Sequence, residues 1–128
     1  MKKRSYKITF ALKEGYAPNG RVHNLKYAGK IIHNWMADRL DAQLPVVNGF
    51  LQEGILFFPS VEKSNADPVT ASPSAVYFGE LSSPEDMKRN NKEIRETLES
   101  LARVLLQKLK QESVYIIYHY KNWCVGKK

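Results

Sequence analysis

The sequence has very little cysteine and no long hydrophobic run. Its one cysteine, Cys124, cannot form a disulfide within the chain, which is typical of a protein from a reducing compartment. No stretch reaches the ~18 apolar residues of a membrane-spanning helix. The basic start MKKRSYKITF leads into a mixed segment and not into the apolar core of a secretory signal. We therefore expect a cytoplasmic protein without a membrane segment.

Motifs for catalysis or metal binding are also missing. The 3 histidines, His23, His33 and His119, have no local metal-ligand spacing. The glycines do not follow a phosphate-loop pattern, and the acidic residues form no evident pair. Cys124 lies too close to the end of the sequence to make a convincing nucleophile. The sequence thus predicts no catalytic residue, no metal site and no cofactor.

The residues that are present are those of one globular domain. The chain has 128 residues, of which 43% are hydrophobic and 26% charged, and this size supports one core. The charge is uneven: residues 1–30 have a net charge of +7, residues 31–83 of −4 and residues 84–128 of +4. Because the basic excess lies in the first strand, its following loop and the last third, a phosphate-bearing partner is one interpretation, and solubility charge is the other.

Hydrophobic periodicity and turn residues predict the order β-α-β-β-α-β. Alternation in YKITFALK is typical of a half-buried strand, and Ser83-Pro84 is typical of a helix start. Gly54 inside the second strand suggests a bulge. Each helix is predicted to have an apolar stripe with spacings of three to four residues: Ile31 or Ile32, Trp35, Met36, Leu40 and Leu44 in the first helix, and Ile94, Leu98, Leu101, Leu105 and Leu109 in the second. The predicted elements are a strand at Tyr6–Lys13, a helix at Ala28–Leu44, a strand at Asn48–Phe58, a flexible loop at 59–74, a strand at Ala75–Leu81, a helix from Pro84 to about Gln111, a strand at Ser113–Lys121 and a tail containing WCVGKK.

This order predicts an α+β, ferredoxin-like fold over residues 1–128. Such a fold has a four-stranded antiparallel sheet with two helices on one face, and its other face stays open unless a partner covers it. The first and third strands would be central, and the fourth would lie at an edge beside the first. On the third strand we expect Val76 and Phe78 to face the helices and Tyr77 to face outward.

The open face and the basic segments predict a ligand surface. Tyrosine rings stack bases and basic side chains neutralise phosphates, so the leading hypothesis is a non-catalytic protein of a phage or mobile element that binds nucleic acid or a phosphate-bearing ligand. The third strand, AVYFGEL, does not match the consensus of RNA-recognition strands. The candidate binding residues are Lys7, Lys13, Arg21, Tyr77, Tyr115, His119 and Lys121.

Two alternatives remain open. Ile117 and Phe57 are unfavourable in water, so the sheet face is also a candidate interface for a homodimer or for a partner protein. The other alternative is a small enzyme with a pocket between sheet and helices, lined by His33, Trp35, Tyr118 and Tyr120.

Two stretches carry a resemblance to known proteins. Gln111–Val114 reads QESV between the last helix and the last strand, and the first strand leads to a glycine turn in YKITFALKEGYAPNG. In both features the chain resembles a family of short bacterial proteins of unknown function. The resemblance implies the same order of elements and no catalytic residue.

Overall fold

The chain forms one antiparallel sheet with helices packed against it. The computed structural model describes residues 4–15, 19–60, 67–119 and 121–127. The sheet has five strands in the order β2-β3-β1-β4-β5. The elements are β1 Arg4–Ala11, α1 Leu25–Asp41, β2 Phe50–Pro59, β3 Val69–Leu81, α2 Pro84–Met87, α3 Asn91–Lys108, β4 Ser113–Tyr118 and β5 Lys121–Gly126.

The α+β class is confirmed, but the predicted four-stranded, ferredoxin-like detail is not matched. The segment predicted as a tail is the fifth strand, which pairs with β4 from Ser113↔Gly126 to Tyr118↔Lys121. The fourth strand therefore lies inside the sheet, and the edges are β2 and β5. Sequence alternation missed the chain reversal because the turn contains no glycine, asparagine or aspartate: His119 adopts the left-handed conformation, with φ of 60°.

The helices differ from the prediction at their ends. Asn24 caps α1, which therefore begins three residues earlier than predicted, and the chain leaves the helix at Gln43, whose φ is 58°. The predicted second helix is divided into α2 and α3 because Asn90 caps a new helix by accepting a hydrogen bond from the Glu93 N–H. The Ser83 cap and the apolar stripe of α3 are confirmed.

The core lies between the sheet and the helices α1 and α3. The apolar side chains of β1 face it, and all five residues of the predicted α3 stripe are completely buried. They pack against β4 through Val114, Ile116 and Tyr118. The predicted stripe of α1 is correct for Trp35, whereas Leu40 and Leu44 are exposed.

The assignment of faces on β3 was wrong. Tyr77 is 3% exposed and faces the helices, whereas Phe78 lies on the open face. Both alternating sets on this strand are apolar, so periodicity alone could not choose between them. The observed assignment fits Gly79, which faces the helices with Tyr77: a side chain at this position would collide with the Asn48 carbonyl oxygen and crowd the Tyr6 ring.

β2 and β3 form a hairpin that extends beyond β1. Ten consecutive pairs run from Phe50↔Phe78 to Pro59↔Val69 in one register, so there is no bulge at Gly54. Residues 69–74, predicted as flexible loop, belong to β3, while residues 61–66 lie outside the described residues. We call residues 55–59 and 69–73, which extend past the end of β1, the arm.

Candidate functional site

The open sheet face carries two rows of side chains that cross the strands. Because residues opposite each other in an antiparallel pair share a face, the pairing defines these rows. The rows contain aromatic, apolar and small polar groups, with Lys7 as the charged residue among them. The first row is Phe50, Phe78, Lys7 and Ile117, and the second, which continues onto β5, is Gln52, Val76, Thr9, Tyr115 and Cys124.

The structure brings some of the predicted binding residues together and separates others. Lys7 and Tyr115 lie on the open face, and Tyr115 is well exposed. Lys13 and Arg21 lie in the segment that follows β1, where Lys13 forms a bridge with Val22. Lys121 begins β5, and its side chain lies outside the described part of the chain.

Two predicted residues do not take part in the open face. Tyr77 is buried beneath the helices and cannot stack a base. His119 is in the β4–β5 turn, where its N–H donates to the Ser5 carbonyl at 2.8 Å. The face was predicted with two tyrosines; it has instead Tyr115 together with Phe50 and Phe78, which the sequence analysis did not select.

The two predicted interface residues are exposed but on opposite faces. Ile117 lies on the open face and is 44% exposed, whereas Phe57 is 66% exposed on the helix-facing side of the arm. Phe57 is not covered because the arm extends past the helical layer. Residues of the arm alternate between the two sides: Leu56 and Phe58 continue the open face, and Ile55 and Phe57 point the other way.

The helix-facing side of β2 and the start of α1 form a corner. A Cβ atom added to Gly29 of α1 would lie 3.6 Å from the Leu51 side chain, so the two elements are in close contact there. β1 and β2 both pair antiparallel with β3, and the connecting helix returns in the opposite direction. The first turn of α1 therefore lies on the Glu53 side of Leu51. We call this place the α1 corner: Glu53, beside the first turn of α1, and Ile55 and Phe57, which follow it on the same side of β2 beyond the start of the helix.

Glu53 places an exposed carboxylate among the apolar side chains of the α1 corner. Its carboxylate is exposed, and its neighbours on the same side of β2 are Leu51, Ile55 and Phe57. The arm itself carries no charged residue at positions 55–59 and 69–73. A carboxylate between apolar side chains can accept hydrogen bonds from hydroxyl groups or attract a cation, while the apolar groups cover a ring or a thioether.

Two buried tyrosines fix the loop that precedes β2. The Tyr77 hydroxyl donates to the Val47 carbonyl at 2.9 Å, and the Tyr6 hydroxyl donates to the Asn48 carbonyl. Burial raises the pKa of both phenols, so both remain protonated donors at neutral pH. Since their hydroxyls bond backbone carbonyls, these tyrosines have a structural role.

Arg89 connects the loop that precedes β2 to α3 through hydrogen bonds. Its guanidinium makes two hydrogen bonds to the Glu93 carboxylate, at 2.7 and 2.6 Å, and a third to the Val46 carbonyl at 2.8 Å. Hydrogen bonding to Glu93 raises the pKa of Arg89, and the same bonds lower the pKa of Glu93. The network satisfies its own charges and is therefore a stabilising element.

A histidine–carboxylate pair lies at the opposite end of β1. His23 Nε2 is 2.7 Å from Glu14 Oε2, and the His23 ring stacks on Tyr27 with centroids 5.0 Å apart. The His23 side chain is largely buried. Local sequence spacing could not reveal this pair because the contact between His23 and Glu14 depends on the chain reversing between them.

Two of the four residues predicted to line a pocket between sheet and helices are core residues with a hydrogen-bond partner. Trp35 is a core residue whose indole N–H donates to Ser100 Oγ at 3.1 Å, and Arg39 lies over its ring. Tyr118 is buried and donates to Asn91 Oδ1 at 2.6 Å. His33 is exposed, and Tyr120 lies outside the described residues.

The described part of the chain holds neither a metal-binding group of side chains nor a membrane-spanning helix. Its histidine, cysteine and acidic side chains form no group of three that could hold a metal ion. None of its helices has the length and apolar character needed to cross a bilayer.

Comparison with known proteins gives structural neighbours only. No protein-family model and no curated protein matches the chain. It is similar to a phage SAM lyase in complex with S-methyl-5'-thioadenosine, with 11% identity and a TM-score of 0.67 over 98% of this chain and 90% of that chain. A phage SAM lyase in the apo state has 13% identity and a TM-score of 0.60, with the same coverage. At these identities the likeness concerns the fold.

Proposed function

We propose that this chain binds S-adenosylmethionine (SAM) or a related thioadenosine in the α1 corner. The observation that carries this proposal is the fold likeness to the phage SAM lyases, which extends over 98% of this chain. One of those structures contains a thioadenosine. A shared fold alone leaves function open, so the proposal also depends on the chemistry of the corner.

The α1 corner supplies the groups that such a ligand needs. Carboxylates commonly accept hydrogen bonds from ribose hydroxyls, and Glu53 is an exposed carboxylate there. Phe57 and Ile55 offer apolar surface for the adenine ring and for the methylthio group. A sulfonium cation is also attracted to the face of an aromatic ring. The ligand would lie on the arm, with its ribose toward Glu53.

Lyase activity is part of this proposal. Cleavage of the bond between the SAM sulfur and the γ-carbon of its amino-acid side chain leaves S-methyl-5'-thioadenosine, because the bonding electron pair passes to sulfur and neutralises the sulfonium. The substrate's own α-carboxylate forms the new bond to that γ-carbon, so the amino-acid part leaves as homoserine lactone and no other reactant is needed. An apolar surface favours the neutral product over the cation. The exposed Ile55 and Phe57 side chains beside Glu53 are suited to this change.

The test measures binding and turnover separately. Calorimetry with SAM and with S-methyl-5'-thioadenosine gives the two affinities, and mass spectrometry follows conversion of SAM. In Glu53→Gln we expect both ligands to bind roughly 10- to 100-fold more weakly, as for loss of a charged hydrogen bond. Glu96→Gln, an exposed change on the outer side of α3, is the control.

The outcomes separate the possible roles of Glu53. Equal weakening of both ligands places the carboxylate on the ribose, and weakening of SAM alone places it near the sulfonium. Unchanged binding in Glu53→Gln contradicts the assignment of the site. Failure of the wild-type chain to bind either ligand contradicts the function itself.

A second candidate function is binding of nucleic acid or another phosphate-bearing ligand. It is favoured by Lys7, which lies in one row with Phe50 and Phe78 on the open face, because a cation next to aromatic rings suits a stacked base and its phosphate. Binding to single-stranded RNA and DNA should then weaken steeply with salt. Lys7→Ala and Tyr115→Ala should weaken it most.

A further inference from the structure

The open face extends onto the arm as one apolar surface. Leu56 and Phe58 of the arm lie on the same side as Phe50, Tyr115 and Ile117 of the sheet. These five large side chains are between 37% and 71% exposed. Two charged residues of the described strands lie on the open face: Lys7, opposite Phe78, and Glu80, opposite Ser5 in the adjoining row. Gln52 and Thr9 are the polar neighbours of Val76.

The size of this surface is in the upper part of the range for the largest apolar patch of a monomer. A whole aromatic side chain buries roughly 150–250 Å²; scaled by their exposures, the five side chains present roughly 500 Å² of mainly apolar area. The largest apolar patch of a typical monomer is about 300–600 Å², and such patches are often functional. Two copies stacked on this surface would bury about 1,000 Å² before any polar rim is counted, which reaches the size of a specific interface.

We propose that the open face, together with the Leu56 and Phe58 side of the arm, binds the same surface of a second copy of this chain. The arrangement is face to face and two-fold, so each arm lies against the sheet of the other subunit. A sheet–sheet stack of this kind suits strands that alternate apolar and small residues. It also leaves Glu53, Ile55 and Phe57 accessible, because they lie on the other side of β2.

Lys7 distinguishes a second copy from a nucleic acid as occupant. A two-fold stack of apolar side chains does not need the positive charge of Lys7, whose ammonium group can reach the rim along its aliphatic stem, so replacing Lys7 with methionine should keep or tighten the dimer. A nucleic acid would instead need that positive charge. The same variant therefore gives opposite results for the two occupants.

The first experiment measures oligomeric state by sedimentation equilibrium over a concentration series. The wild type is expected to be a dimer, and Ile117→Glu should weaken it by roughly 100-fold or more, because an unpaired charge is placed at the interface. Leu56→Glu tests the arm in the same way. Leu40→Glu is the matched control, since Leu40 is 59% exposed on α1 and lies outside the proposed surface.

The second experiment uses the native thiol, so its main comparison needs only the wild-type chain. Cys124 lies in the row of Tyr115 on the open face and is exposed in one copy. Its reaction with a thiol reagent should be several-fold slower in concentrated wild type than after dilution, and Ile117→Glu should remove this concentration dependence. Circular dichroism confirms that each variant is folded.

Several results would overturn the proposal. They are a monomeric wild type at all concentrations, a dimer that Ile117→Glu and Leu56→Glu leave intact, and a Cys124 reaction rate that does not change with concentration. Loss of the dimer in Leu40→Glu would place the interface elsewhere. None of these readouts uses SAM or S-methyl-5'-thioadenosine, so the ligand proposal and the dimer proposal can fail independently.

Discussion

Tyr6 and Tyr77 lie on neighbouring strands with their ring centroids 6.0 Å apart, and their hydroxyls hold two successive carbonyls of one loop. The carbonyls belong to Asn48 and Val47, immediately before β2. The pair therefore determines where β2 enters the sheet, and with it the position of Glu53 and the arm.

Removing the Tyr77 hydroxyl should destabilise the fold. In Tyr77→Phe the buried Val47 carbonyl loses its donor, which costs about 1–2 kcal/mol of unfolding free energy. Urea denaturation followed by circular dichroism measures the change. Tyr115→Phe, whose ring is 57% exposed, is the control and should leave the midpoint unchanged. Equal midpoints for Tyr77→Phe and the wild type would show that the hydroxyl bond contributes nothing.

Gly49 should not tolerate a side chain, whereas Gly54 should. A Cβ at Gly49 would lie 2.8 Å from the Phe78 carbonyl oxygen and 2.9 Å from Tyr77 Cζ, while a Cβ at Gly54 meets nothing within 4 Å. We expect Gly49→Ala to cost about 2 kcal/mol or more, as for an overpacked core. Gly54→Ala should be neutral or stabilising by roughly 0.5 kcal/mol. Thermal unfolding of the two variants gives the comparison, and similar costs at both positions would contradict it.

Acid should weaken the Arg89–Glu93 contact. Arg89 lowers the pKa of Glu93 in the folded state. The contact's contribution to the unfolding free energy is therefore fully present above the pKa of Glu93 in the unfolded chain, near 4.5, and is lost as the pH falls through the lower pKa of the folded state. The unfolding free energy of wild type should thus decrease below about pH 4.5 more than that of Glu93→Gln. Urea midpoints from pH 3 to pH 7, roughly the window of carboxylate titration, measure this difference. Glu96→Gln should behave as wild type, and parallel curves for Glu93→Gln and wild type would refute the assignment.

The end of α3 offers a stabilising substitution. Lys110 follows the helix with φ of 53°, a left-handed conformation that glycine adopts without strain. Lys110→Gly should therefore raise the unfolding free energy by roughly 0.5–1 kcal/mol. Lys108→Gly, inside the last helical turn, should lower it by about 1 kcal/mol. Chemical denaturation of both variants tests the contrast in sign.

The sequence allowed most of the elements to be predicted, and the misses have local causes. The α3 stripe has one clear period, so its burial could be read directly. On β3 both faces are apolar, so periodicity alone could not show that Tyr77 points inward. The stretch VYIIYHYKNW reads as one strand because the residue that reverses it, His119, is unusual in a left-handed turn.

The candidate sites were less predictable than the fold. Lys7, Tyr115 and Ile117 could be placed on the open face because β1 and β4 alternate clearly. Phe57 was grouped with Ile117 because a supposed bulge at Gly54 left the register of β2 undecided. Glu53 was not among the predicted binding residues, because its position in the α1 corner depends on how far β2 extends past the start of α1.

The unbroken register of the β2–β3 hairpin makes the reach of the arm adjustable. Removing two residues from each strand, such as 56–57 with 71–72, keeps every remaining side chain on its original side because strand side chains alternate with a period of two. Removing one residue from each would exchange the two sides. The length of the arm and the chemistry of its two sides can therefore vary independently. A chain of this fold can have a longer or shorter arm with the same kinds of side chain on each side.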